Sequence, residues 1–123
     1  MDTARLDALS LDQRRVIAQI IARPGKANAI PVAEVARAVG IPARETQDLV
    51  ASLIEAGLPI GTSYGRPSGW YMVETEAERA ENRQALRGRA LKILARARAF
   101  DPRARPELEA LRGQVRLWEA GRG

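Results

Sequence analysis

The sequence predicts a mainly α fold with one small β-hairpin, followed by a C-terminal helical extension. Three observations predict it. Apolar residues recur at helical spacing in five separate stretches. The helical spacing lapses between Leu58 and Val73, where glycine, proline, aromatic and β-branched residues replace it. Gly40 and Gly57 each stand just past a helical stretch, where a left-handed residue commonly ends a helix.

The elements follow in order. Val16, Ile17, Ile20 and Ile21 form the apolar stripe of a first helix over residues 11 to 23. Ser10 caps it, with Gln13 three residues on completing a capping box. Pro24-Gly25 stops it, and the loop that follows ends in a short extended piece at Ala29-Ile30. Pro31 suits the first position of a second, short helix marked by Val32, Val35, Ala36 and Val39. Ile41 is a buried turn residue, and Pro42 opens a third helix with Leu49, Val50, Leu53 and Ile54 inward. Leu58 to Ser63 and Trp70 to Val73 read as a hairpin, with Tyr64 to Gly69 as its tip. Thr75 and Glu78 form a second capping box for a long helix reaching Phe100. Asp101-Pro102 breaks that helix, and a last one runs from about Pro106 to Glu119.

Composition excludes several chemistries. The 123 residues contain no cysteine and no histidine. Disulfides, thiolate or imidazole zinc sites and nucleophile–histidine catalysis are therefore excluded. The acid-rich stretch Glu74, Glu76, Glu78 and Glu81 lacks convincing ligand spacing and reads as the acidic start of a helix. No metal and no cofactor is expected. No glycine-rich phosphate loop or paired carboxylate site can be found, so the chain is not expected to be an enzyme. No segment approaches the roughly 18 apolar residues that span a bilayer, and Met1 to Arg5 has no apolar run behind it. A cytoplasmic location and no membrane partner are the expectation. Net charge is +5, and arginine supplies nearly all of the cations. A GC-rich genome or bidentate phosphate contact would each produce that bias.

Residues Val32 to Val50 have the order short helix, glycine turn, helix, which is the pattern of a helix-turn-helix unit. Ala36 is small where two helices approach, Gly40 makes the turn, and Ile41 and Leu49 fill the wedge. With the hairpin behind it, the chain resembles the winged helix-turn-helix family over about half its length. Gly57-Leu58, Pro59-Ile60 and Gly69-Trp70-Tyr71-Met72-Val73 are similar to the wing of biotin-ligase repressor DNA-binding domains and of small phage-encoded winged-helix proteins. The resemblance implies a winged domain over residues 10–73, whose third helix reads the major groove while the wing touches the minor groove or backbone. By position, Ala43, Arg44, Glu45, Gln47, Asp48 and Ser52 would face the groove. Arg44 suits guanine and Gln47 adenine. Arg66 would contact phosphate from the wing, helped by Ser63, Tyr64 and Ser68. Arg14, Arg15 and Arg37 are candidates for flanking phosphates. Against this, residues 1–73 carry only one more cation than anion, and Glu45 and Asp48 would repel phosphates. An Arg44–Asp48 pair at i, i+4 is one way to neutralise them.

The remaining charge lies in residues 74–123, most of which, 74–120, form a two-helix extension. From Arg83 to Arg105, eight cations face Asp101 alone. Leu86, Ala90, Ile93, Ala97 and Phe100 form a narrow heptad seam, with Arg89, Lys92 and Arg96 on one flank and Arg83, Arg87 and Arg98 on the other. Leu108, Leu111, Val115 and Trp118 form a matching seam on the last helix. The cations serve phosphate binding, a solvated helix flank or an acidic protein partner. The seams are expected to pack across a homodimer, with Phe100 and Trp118 as its main contacts; the alternative is a monomer whose two-helix hairpin folds back on the winged domain. The leading expectation is a sequence-specific double-stranded DNA-binding protein, a transcriptional regulator. The alternatives are a phage-type replication or DNA-packaging accessory, and a protein-binding adaptor that uses the same scaffold without DNA.

Overall fold

The computed structural model describes residues 7–120, with side chains described through Leu117. It is mainly helical with a two-stranded antiparallel hairpin. The order is α1 (Leu11–Ile21), α2 (Val32–Val39), α3 (Ala43–Glu55), β1 (Ile60–Ser63), β2 (Gly69–Met72), α4 (Glu76–Phe100) and α5 (Arg105–Ala120). Short 3₁₀ turns sit at Lys26–Asn28 and Pro102–Ala104. The chain divides into two compact units, Met1–Arg79 and Ala80–Gly123.

Local chemistry sets the ends of the first-unit helices. The Ser10 hydroxyl accepts from the Gln13 backbone N–H at 3.1 Å, and the Gln13 side chain accepts from the Ser10 N–H at 2.9 Å. This is the reciprocal capping box the sequence predicts. Pro31 and Pro42 stand one residue before their helices, in extended backbone, rather than as the first helical residues. Gly40 closes α2 with φ +70°, the left-handed conformation expected of it. Arg15 of α1 donates to the Val39 carbonyl at 2.6 Å, satisfying one of the free carbonyls at that same helix end.

The core of the first unit is formed by Val16, Ile17 and Ile20 of α1, Val35 and Val39 of α2, Val50 and Leu53 of α3, and Ile30, Leu58, Ile60 and Trp70. Fully burying such a side chain contributes roughly 1.5–3 kcal/mol. α1 packs on α2, α3 and β2, and α3 packs on β1. Ile41 and Leu49 are half-buried against this cluster, as the wedge requires.

Strand β2 has partners on both sides. Its register with β1 pairs Ile60 with Met72, Gly61 with Tyr71, Thr62 with Trp70 and Ser63 with Gly69. On the other side Ile30 bridges Trp70 through two backbone hydrogen bonds, and Pro24 bridges Met72. The short extended piece expected at Ala29-Ile30 is thus a single bridge. Tyr71 is fully buried, with its ring directly over Gly61.

Glu78 ties the start of α4 to the loop after α1. Its carboxylate accepts from the backbone N–H groups of Lys26 and Glu74, both at 2.8 Å, and from that of Thr75 at 3.3 Å. The Thr75 hydroxyl accepts from the Glu78 N–H, closing the second predicted capping box. The Glu74 and Lys26 donors hold the Glu78 carboxyl below its ordinary pKa.

In the second unit, α5 follows the Pro102–Ala104 turn, and Glu109 accepts a charge-assisted hydrogen bond from Arg98. That bond lowers the pKa of Glu109. The seam expected on α4 is split within a single chain. Leu86, Ile93 and Phe100 are exposed, at 47%, 60% and 92%. The half-buried face carries its Ala90 and Ala97 together with Arg87, Leu91, Leu94 and Arg98. On α5, Leu108 and Val115 are half-buried as expected, with Arg112, while Leu111 is exposed. The aliphatic stems of arginine cover surface as apolar side chains do, so the inward face is not simply the most apolar one. The Trp118 side chain lies outside the described residues.

Candidate nucleic-acid interface

The turn Gly40–Pro42 between α2 and α3 is fastened from inside. The N–H groups of Gly40 and Ile41 both donate to the Ala36 carbonyl. Thr46, fully buried, donates its hydroxyl to the Pro42 carbonyl at 3.0 Å, with the Ile41 carbonyl at 3.3 Å. Composition gave no sign of this role for Thr46; its place one turn into α3, on the side of Val50 and Leu53, was the available signal. The anchor fixes the direction in which α3 leaves the turn.

Along α3 the expected site residues fall into two groups. Arg44 and Gln47 are exposed, and their side chains make no hydrogen bond or ion pair among the described residues. At about 100° per residue they share a strip with exposed Ala51, which the sequence reading missed. Glu45, Asp48 and Ser52 lie on the side of α3 nearer α1. There they line a shallow depression with Asp12 of α1, over a floor of Ile41 and Leu49. Arg44 and Asp48 do not pair with each other among the described residues.

Several candidates are already engaged within the fold. Ser52 donates to the Leu49 carbonyl at 2.6 Å and accepts from the Gln13 side chain at 3.0 Å, joining α3 to α1. Ser63 is buried and donates to the Pro67 carbonyl at 2.8 Å, bracing the hairpin tip. Arg14 donates to the carbonyls of Asp7 and Leu9, and Arg15 to that of Val39. Neither serine has a hydroxyl proton left for a backbone contact. By contrast Tyr64, Arg66 and Ser68 are exposed on the tip, with Tyr64 at 75%. Arg37 lies off the α3 strip, in a second shallow depression with Gln19, Arg23, Ile30, Glu34 and Ala38.

Chemically, the first unit offers a donor-rich strip on a rigid helix and a cationic, aromatic hairpin tip. Among the described residues, no cluster of carboxylates, cysteines or histidines is suited to hold a metal ion, and no helix is long and apolar enough to cross a membrane. Comparison of the chain with family profiles, with characterised proteins and with solved structures finds no match.

Proposed function

We propose that residues 10–73 are a winged helix-turn-helix domain that binds double-stranded DNA sequence-specifically, as a transcriptional regulator does. The observation that carries this reading is the strip of Arg44, Gln47 and Ala51 on α3. Two side chains with no partner among the described residues stand on a helix whose exit from a tight turn is locked by Thr46. In this reading α3 enters the major groove, a helix-wide channel. Arg44 donates to guanine, Gln47 pairs with adenine, and Ala51 meets a thymine methyl group. Arg66 and Tyr64 contact the backbone beside the groove. Binding involves no chemical step.

The test is selection of a preferred duplex from a random pool, followed by Arg44→Ala and Gln47→Ala on the selected site. Each substitution is expected to weaken specific binding by about 1–3 kcal/mol and to relax preference at one base pair. Equal affinity of both variants for the selected site would overturn these roles. One observation favours a second reading, a protein-binding adaptor. Asp12, Glu45 and Asp48 form an acidic depression on the same helix, and phosphates avoid such a surface.

A further inference from the structure

α4 presents an exposed apolar row that the second unit leaves uncovered. Leu86, Ile93 and Phe100 are exposed at 47%, 60% and 92%, and they recur every seven residues. A row at that spacing drifts only about 20° per heptad around a straight helix. Arg89, Lys92 and Arg96, all exposed, run along one edge of it. Small Ala90 and Ala97 run along the other. From Asn82 to Phe100, α4 contains no acidic residue.

We propose that this face of α4 docks an acidic amphipathic helix of a partner protein. The width of the row selects a helix. One large apolar side chain per two turns matches the narrow seam of a two-helix contact. A bilayer surface takes a much broader apolar face. The sign of the charge selects an acidic partner. In helix pairs, the residues flanking the seam set partner choice through opposite charges. A second copy would set Arg89, Lys92 and Arg96 against cations of the same kind, which costs rather than contributes free energy. Duplex DNA would accept the cations but leave Ile93 and Phe100 in water. The surface belongs to the second unit and is independent of whether the first unit binds DNA.

The experiment uses the full chain and a labelled four-heptad synthetic peptide with leucine at its seam positions and glutamate at the flanking ones. Fluorescence anisotropy is expected to give saturable binding that weakens as salt rises. The same peptide with lysine for glutamate is expected to bind at least about tenfold more weakly. The double variant Ile93→Ser, Phe100→Ser is also expected to bind the acidic peptide at least about tenfold more weakly. Both positions are exposed, and circular dichroism checks that the helices persist. Equal binding of the two peptides, or of the two proteins, would overturn the proposal. So would self-association in sedimentation that the double variant abolishes, which would assign the face to a second copy. Loss of duplex DNA or anionic vesicle binding in the double variant, without peptide binding by the parent chain, would overturn it equally.

Discussion

Gly69 should be the least replaceable glycine of the first unit. It opens β2 with φ +114°, a conformation that side-chain-bearing residues rarely adopt. A Cβ there would lie 1.9 Å from the Ile30 carbonyl oxygen and 2.7 Å from the Pro31 Cα. These are backbone atoms and cannot rotate away. Gly69→Ala must therefore open the Ile30–Trp70 bridge, whose two hydrogen bonds measure 2.8 and 2.9 Å. Losing them costs about 0.5–1.5 kcal/mol each. The left-handed backbone costs an alanine about 1–2 kcal/mol more. The expected loss is about 2–5 kcal/mol, a large share of a small domain's stability. Gly40 is the control, since it has φ +70° but nothing within 4 Å of an added Cβ. Gly40→Ala meets only the backbone cost, about 1–2 kcal/mol. Gly65, with open space and no positive φ, should tolerate alanine within about 0.5 kcal/mol. Urea unfolding of the three variants reads this order directly. Equal losses for Gly69→Ala and Gly40→Ala would refute the close approach of β2 to Ile30.

Two further predictions concern α4. Glu78→Gln should cost about 1 kcal/mol at neutral pH, because a neutral amide accepts more weakly than a carboxylate from the N–H groups of Lys26 and Glu74. The folded pKa of Glu78 lies below its ordinary 4.5. Its stabilisation is therefore complete above the unfolded value and fades as pH falls through the lower folded one. The difference between parent and variant in urea unfolding should shrink below about pH 4.5, and a gap that widened in acid would contradict the assignment. On the exposed row, Phe100→Ala should change stability by less than about 0.5 kcal/mol, whereas Leu94→Ala, half-buried, should cost about 1–2 kcal/mol, less than a fully buried leucine. The reverse order would contradict the inward placement of Leu94 and the exposure of Phe100.

Much of the first unit was legible because its signals are local. Ser10–Gln13 and Thr75–Glu78 are caps whose partners lie three residues apart, and Gly40 supplies its own backbone freedom. The inward residues of α3 follow directly from helical spacing. What was not legible depended on distant partners. Glu78 also reaches Lys26, 52 residues away in sequence, and no local pattern encodes that bond. Ser52 and Ser63 looked available because a hydroxyl in a sequence carries no mark of its acceptor. Here the acceptors are the Leu49 and Pro67 carbonyls. Glu45 and Asp48 parted from Arg44 and Gln47 only once α1 was in place beside them, bringing Asp12 into the same depression. On α4 the heptad pattern found a row of apolar residues, but spacing alone could not say which of them one chain buries: Leu86, Ile93 and Phe100 are exposed. Leu91 and Leu94 turn inward instead, and Arg87 and Arg98 accompany them with stems that bury well, the Arg98 head bonding to Glu109.

DNA binding is the central claim, and affinity for random-sequence duplex across a salt series tests it most directly. The account predicts that log affinity falls linearly with log salt, by about 0.9 for each phosphate neutralised. Arg66→Ala should reduce that slope by about one contact. Absence of binding at low salt, about 50 mM, would contradict the account and leave the acidic depression of α3 and the cationic face of α4 as surfaces for proteins.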